Sequence, residues 1–465
     1  MSKRNIRDFT QVSIAAHLIA FSTPMLLGNV FQALYSTVDS FWVGRYLGSE
    51  ALAAVSVSFP IQFALVSLAI GLTIATTTLI SQSFGARNYP EIAHIAANTL
   101  TLLGLLGLIF ATGGFLLRAT LIDLVGTPDN IRAQAISYLG VCSLGFPVVY
   151  IYNVGGAILR GLGDSRTPLN ALIVATVTNI ILDPVMIFGL GPVPRMGVAG
   201  AALATIIAQT IASTVVIVSV FKTISFKRNW KDFLSLDRNI TVKSFRIGLP
   251  SAVQQTLVSF GAMAVVSIVN SFGFMQAAVL GIGNRLDQFT LMPAMSISTA
   301  VSALVGQNLG AGKVERVRET VRTANKLSLG IAFCTFAVMQ LFPRQIFSVF
   351  SKEAELLDFG VTYLRYVSIV YVPMSLHFVL QGVMRGAGDT IPPMLIALGA
   401  LWLVRVPSAL FLSRMPALGV SGVWMAFPIS GSVTLLLNYI YYRKGKWASR
   451  KLVDKMSVQA SLDEL

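Results

Sequence analysis

A chain of 465 residues that is 54% hydrophobic and only 12% charged has too little polar surface to cover a water-soluble core. Its mean hydropathy of +0.72 makes lipid the solvent for most of it. A net charge of +15 would suit a nucleic-acid partner in a soluble protein, but here the basic residues fall between long apolar runs, which excludes that reading.

In chain order the apolar runs centre near residues 25, 66, 105, 146, 178, 209, 257, 291, 332, 372, 404 and 431. Each is long enough for a membrane helix, giving about twelve spans. The runs are continuous rather than alternating, so a closed barrel is excluded. The basic start leads into the first run with no small-residue cleavage site, so an uncleaved first span is expected. Most of the 35 Lys and Arg residues sort to one side. They are Lys3, Arg4 and Arg7, the loops from Lys222 to Arg246 and Lys313 to Lys326, the short loops with Arg87, Arg160, Arg166 and Arg385, and the tail from Arg443 to Lys455. The positive-inside rule therefore predicts two cytoplasmic termini. Cys142 and Cys334 stand singly within apolar runs, without metal-like spacing, and no role is assigned to them.

The sequence is duplicated. Arg160-Gly161-Leu162-Gly163-Asp164 returns as Arg385-Gly386-Ala387-Gly388-Asp389, Gln82 with Gly85-Ala86 returns as Gln307 with Gly310-Ala311, and Pro24 matches Pro250. Six spans return a chain to its starting side, so two halves with the same topology are related by a pseudo-two-fold axis along the membrane normal. The expected fold is an all-α integral membrane protein of two six-helix lobes: residues 1–221, a cytoplasmic connector 222–246, residues 247–442 and a tail 443–465. The Arg-Gly-x-Gly-Asp turns read as helix ends, since no strand precedes them and no Lys-Ser/Thr follows, as a phosphate loop requires.

An ionisable group at membrane depth costs about 2.5 to 3.5 kcal/mol, so each one needs an explanation. In the first span Gln32, Tyr35, Ser36 and Asp39 share one helical face, and in the fifth Asn179 and Asp183 lie one turn apart, followed by Pro184. The proline leaves the Ile180 carbonyl without a donor, which predicts a kink there. Asn153 lies in the fourth span, and Thr205 and Gln209 in the sixth. The repeat places Ala264 opposite Asp39 and Val406 opposite Asp183, so the second half does not keep these carboxylates. Groups needed only to hold the fold would be expected in both halves, and this asymmetry favours a site used by one lobe. Two carboxylates in one apolar site repel each other when both are ionised, and one proton or one Na⁺ relieves that repulsion. A cationic substrate competing for the same negative site is the simplest route to antiport. The second half carries Gln254, Gln255, Arg285, Asp287, His377, Gln381 and Arg405. Arg285 and Asp287 do not face each other on a helix, and Asp287 with Arg405 is the suggested pair, either structural or connected with transport.

Together these features resemble the multidrug and toxic compound extrusion (MATE) family over essentially the whole chain. The resemblance is carried by Pro24 with Gln32 and Asp39, Gln82 with Gly85-Ala86, the segment Arg160 to Pro168, and Asn179-Ile180-Ile181-Leu182-Asp183-Pro184. Within the family it is similar to the DinF-like branch. That implies a cation or proton-coupling site at Asp39, Asn179, Asp183 and Thr205, a substrate pocket near Gln32, Tyr35 and Asn153, and hinges at Pro24 and Pro184. The NorM-like branch carries carboxylates in spans seven and ten, which this chain lacks; Asp287, Arg285 and Arg405 remain secondary candidates. The resemblance implies an antiporter of the cell membrane, and a monomer is expected because each pair of lobes already encloses a cleft. It would export small organic cations or amphiphiles by alternating access against inward H⁺ or Na⁺, with no other cofactor or metal; H⁺ is favoured because two carboxylates can share one proton. The rival function is a lipid-linked precursor flippase, for whose phosphates only Arg285 and Arg405 stand ready. A membrane enzyme would need a catalytic cluster that the sequence lacks.

Overall fold

With no water in the hydrocarbon, a spanning segment must satisfy its own backbone, and helices do so. The computed structural model describes residues 6–192, 194–224, 236–449 and 452, and among these there is no strand. Lys3 and Arg4, positions 225–235 of the expected connector, and the tail from 450 on apart from Leu452 lie outside the described residues.

The first half contains α1 (Ile14–Trp42, continued by a π turn Val43–Leu47), α2 (Ser49–Gly85), α3 (Tyr89–Leu116), the short α4 (Arg118–Leu124), α5 (Asp129–Leu144), α6 (Phe146–Gly161), α7 (Arg166–Phe188) and α8 (Gly197–Thr223). The second contains α9 (Arg238–Asn270), α10 (Phe274–Gly310), α11 (Val314–Leu341), the short α12 (Pro343–Ser348), α13 (Ala354–Val367), α14 (Tyr371–Gly386), α15 (Ile391–Gly399), α16 (Val406–Ser413) and α17 (Val420–Arg443). A π turn, Ala400–Arg405, joins α15 to α16. Among the described residues eleven spans are long and apolar enough to cross a membrane, and α5 with α6, bent by 46°, makes a twelfth if taken as one span. That bend falls at Gly145, where Pro147 just beyond it has no N–H to give the preceding turn. Large apolar side chains such as Leu403, Phe411, Phe59 and Leu116 are exposed, as expected where the neighbour is lipid.

The duplication reaches individual hydrogen bonds. After α2, Ala86, Arg87 and Asn88 N–H donate to the carbonyls of Gln82, Phe84 and Ser83; after α10, Ala311, Gly312 and Lys313 donate to Gln307, Leu309 and Asn308. After α6 and α14 the two Arg-Gly-x-Gly-Asp segments form the same turn, with Asp164 N–H on Leu159 and Asp389 N–H on Met384. Gly163 and Gly388 take φ of +86° and +75° there, the left-handed region that suits glycine. Asp164 then caps α7: Oδ1 accepts from the Arg166 and Thr167 N–H groups at 2.9 and 3.0 Å, and Oδ2 from the Thr167 hydroxyl at 2.6 Å.

The chain forms two compact units, one built on Thr23–Ala252 and the other on Phe9–Ser22 with the chain from Val253 onward. Thus each half gives the start of its first helix to the opposite unit. In the second unit the segment before α1 is held by Phe9 N–H on Gln307 Oε1 (2.9 Å), Lys313 Nζ on the Thr10 carbonyl (2.9 Å) and Arg316 on the Val12 carbonyl (2.7 Å). In the first unit Asp237 caps α9 through the N–H groups of Asn239 (2.7 Å) and Ile240 (3.1 Å) and meets His94 Nε2 at 3.1 Å.

Two predictions follow from these loops. Arg87 takes the left-handed φ of +59° where the repeat uses Gly312 at +76°. A side chain costs about 1 to 2 kcal/mol in that conformation, and glycine gives back about 0.5 to 1 kcal/mol in unfolded-state entropy. Arg87→Gly is therefore expected to raise the thermal midpoint in detergent by the equivalent of about 0.5 to 1 kcal/mol. Asp237, outside the spans, has its carboxyl held below the usual range, chiefly by His94 and then by the α9 N–H groups. A depressed carboxylate stabilises above its unfolded value of about 4 and loses that contribution as pH falls through the folded value. The midpoint deficit of Asp237→Ala against wild type, measured from pH 7 down to pH 3, should shrink below about pH 4.

Candidate cation site in the first half

Four helices of the first unit supply the polar side chains: α1 with Tyr35 and Asp39, α5 with Gln134, Tyr138 and Cys142, α7 with Asn179 and Asp183, and α8 with Thr205 and Gln209. Helices α7 and α8 approach closely because α8 presents a small residue every fourth position, Gly200, Ala204, Ala208 and Ala212, all buried. A Cβ on Gly200 would lie 2.4 Å from the Met186 carbonyl oxygen, so only glycine permits this crossing. Helix α7 runs unbroken through Pro184 to Phe188, and α1 likewise runs through Pro24. Apolar packing by Val43, Ala51, Ile187, Val198 and Ala201 surrounds this end of the unit.

Asn179 and Asp183 are wholly buried, and the Asn179 Nδ2 donates to Asp183 Oδ1 at 2.9 Å. Four further oxygens of this group, Asp183 Oδ2, Asn179 Oδ1, Asp39 Oδ1 and the Tyr35 hydroxyl, are buried without a hydrogen bond among the described residues. Asp39 and Asp183 lie close enough for their charges to interact, and the Tyr35 hydroxyl lies within reach of both. Thr205 stands beside that hydroxyl without completing a hydrogen bond to it. Tyr138 and Cys142 lie near Asp39 on its α5 side. One turn before Tyr138, Gln134 Oε1 is another buried, unpartnered acceptor, as is Gln209 Oε1.

The structure thus brings together Tyr35, Asp39, Asn179, Asp183 and Thr205. It does not join the other two pocket candidates to them: Gln32 is exposed, and the Asn153 amide donates to the Val149 carbonyl of its own helix at 2.7 Å. Tyr138 adds a residue not singled out in the sequence, although Gln134, Tyr138 and Cys142 recur at helical spacing of four. Chemically, the cluster offers two carboxylates and several neutral oxygens, and among the described residues the one donor engaged on either carboxylate is the Asn179 amide. Buried acceptors left unpaired are unfavourable, and a proton or a hard monovalent cation is what such a set accepts.

The second half differs in the decisive respect. Asp287 on α10 accepts from the Tyr363 hydroxyl at 2.9 Å and the Tyr371 hydroxyl at 2.6 Å, so both its oxygens are satisfied. Asp287 and Arg405, the suggested pair, lie close enough for their charges to interact, but they make no direct ion pair among the described residues. Arg405 Nε donates instead to Ser430 Oγ at 2.8 Å, and its guanidinium lies 4.7 Å from the Phe427 ring centroid, drawn to α17. Arg285 is exposed. His377 Nδ1 meets Asn438 Nδ2 at 3.1 Å within the bundle. Because the tyrosine hydroxyls replace water around Asp287, Tyr371→Phe should leave one carboxylate oxygen bare and destabilise the protein by about 1 to 3 kcal/mol. Thermal unfolding should show Asp287→Asn together with Tyr371→Phe costing less than the sum of the two single changes.

The family model described as MatE matches the chain twice, at residues 24–185 and 250–411, one match in each half. The probable multidrug resistance protein YoeA of Bacillus subtilis (strain 168) is 34% identical over 435 residues, 93% of this chain and 94% of that protein. The probable multidrug resistance protein YpnP of the same organism is 32% identical over 453 residues, 96% and 98% of the two chains. A solved structure described as the outward-facing conformation of a multidrug resistance MATE family transporter of the MOP superfamily superposes with a TM-score of 0.88 at 25% identity, covering 96% of this chain and 98% of that one. The duplicated match, the two helical halves and the near full-length relatives agree: this chain belongs to the MATE family of multi-pass membrane transporters and is not an enzyme.

Proposed function

We propose that the protein is a cation-coupled antiporter of the plasma membrane, acting as a monomer with both termini in the cytoplasm. It exports small organic cations or amphiphiles by alternating access. The observation that carries the reading is the group of buried, unpartnered oxygens on Asp39, Asp183, Asn179 and Tyr35. Such a group is stable when a proton or cation occupies it and strained when both carboxylates are bare, so occupancy is linked to conformation. Names of relatives such as YoeA and YpnP, as probable multidrug resistance proteins, support an organic-compound substrate.

H⁺ is the favoured coupling ion, because two carboxylates that interact across a dry site share one proton readily. Na⁺ is the alternative that the same oxygens, with Asn179 and Thr205, can ligate. A cationic substrate that approaches the deprotonated pair meets the charge that the ion neutralises. The two therefore exclude each other, and exclusion is the requirement for exchange. Pro24 and Pro250 are the proposed bending points of α1 and α9. Each lies within three residues of the position where its helix passes from one compact unit to the other, Ser22 to Thr23 and Ala252 to Val253. Pro184 is the proposed weak point of α7, next to Asp183.

Purified protein in liposomes, given either a pH gradient or a Na⁺ gradient alone, tests this with ethidium as the transported dye. Wild type should respond to the pH gradient, and Asp39→Asn and Asp183→Asn should each abolish the response. Dye movement driven only by Na⁺ would replace the ion and keep the site. Gradient-driven export at wild-type rates in both variants would sink the proposal.

A further inference from the structure

A cavity of about 350 Å³ opens in the second unit between α11, α14 and α17. Its lining is mostly apolar, with Val321 of α11, Leu376 and Leu380 of α14 and Leu435 and Leu436 of α17; Asn325 of α11 and Ser432 of α17 add polar groups, and Tyr439 and Tyr442 complete the α17 side. Those tyrosines occupy the last turns of α17, so the opening lies at the end of the bundle where Arg443 closes the helix. Trp447 marks the same level. It stacks on Tyr442 with ring centroids 5.3 Å apart and 4° between planes, and its Nε1 donates to the Tyr442 carbonyl at 2.9 Å. Tyrosine and tryptophan in this arrangement are what a chain places at the lipid headgroup level.

The charge at the mouth is positive. Arg318, Arg322 and Arg443 all lie close enough to Tyr442 to interact with its hydroxyl electrostatically, and the Arg443 guanidinium stands 6.0 Å from the Tyr439 ring centroid. Glu315 takes Arg318 at 2.5 Å, whereas Arg322 and Arg443, both exposed, make no ion pair among the described residues. A mostly apolar cavity of this volume, bordered by tyrosines and two arginines without an ion-pair partner among the described residues, has the chemistry of one ligand class: an apolar tail with an anionic head.

We infer that this cavity binds an anionic phospholipid, one acyl chain against Leu376, Leu380, Leu435 and Leu436 and the phosphate between Arg322 and Arg443. Arginine suits the role because its planar fork meets two phosphate oxygens at once. The volume falls in the range of small-ligand sites, and the mostly apolar lining with a few polar groups follows their usual build. The site uses none of the residues of the candidate cation site. Under the positive-inside reading its headgroup end faces the cytoplasmic leaflet, where anionic lipid attracts basic side chains.

The test is native mass spectrometry of the full chain released from nanodiscs containing equimolar phosphatidylglycerol and phosphatidylethanolamine. Wild type should retain phosphatidylglycerol several-fold over phosphatidylethanolamine. The Arg322→Gln, Arg443→Gln double variant should lose that preference, and Leu380→Trp, which fills the slot, should lose retained lipid of both kinds. Equal retention of the two lipids by wild type would overturn the proposal without recourse to any variant, as would an unchanged preference in the double variant. Displacement of the lipid by millimolar glycerol phosphate would show a headgroup site alone and overturn the placement of the chain in the cavity.

Discussion

An oxygen buried without a donor is the constraint on which the rest of this structure turns. In water the cost of an unpaired carboxylate oxygen is nil, but inside a helical bundle in lipid it is several times the worth of an ordinary hydrogen bond. The two halves meet that constraint in opposite ways. Asp287 receives two tyrosine hydroxyls and is complete within the protein. Asp183 receives one amide from Asn179 and is left half-satisfied, with Asp39 and Tyr35 nearby in the same condition. A carboxylate whose partners are covalently part of the fold has little to gain from a proton or cation, whereas one whose partner is missing gains a great deal. That difference, rather than the presence of a carboxylate, is what singles out the first half.

The scaffold tolerates such a defect because the rest of it is redundant. Both halves repeat the same turns after corresponding helices down to individual N–H to carbonyl bonds. The capping of α7 by Asp164 and the close passage of α8 at Gly200 hold the helices that carry Asn179, Asp183 and Thr205 by backbone geometry. None of that support depends on the polar cluster. Duplication therefore separates two requirements: the turns, which every copy needs in order to fold, and the polar residues, which were free to differ.

This separation also explains what could be read from the sequence. Spans, repeat and helix-ending turns were legible because each depends on local composition: apolar runs, glycine at positive φ, an aspartate at a helix start. Asn179 and Asp183 were legible as a pair because helical spacing alone places them one turn apart. The partners of Asp287 were not. Tyr363 and Tyr371 lie on different helices from it, and an arginine at depth looked the better electrostatic match, although Arg405 is held by Ser430 and Phe427 of α17. Tyr138 is not legible because α5 is too polar overall for one more polar residue to stand out. The exchange of helix beginnings between the compact units could not be read either, since it depends on which surface Phe9 and Asp237 reach, and sequence spacing is silent on that.

On the proposed reading, α1 must carry an event at Asp39 to Pro24, fifteen residues away and roughly 22 Å along the axis at 1.5 Å per residue. An intact helix does this as a rigid rod, and α1 is unbroken over the whole distance. The proline leaves the Ala20 carbonyl without its donor, so the rod is weakest beside the point where the chain enters the first unit at Thr23. Motion imposed at the cation end therefore has one place to be absorbed. The repeat supplies Pro250 at the corresponding place in α9 but no carboxylate beyond it, since Ala264 stands where Asp39 would be. Both first helices thus have a joint, and only α1 has an ion-responsive group to work it, which makes the first half the driven member of the pair.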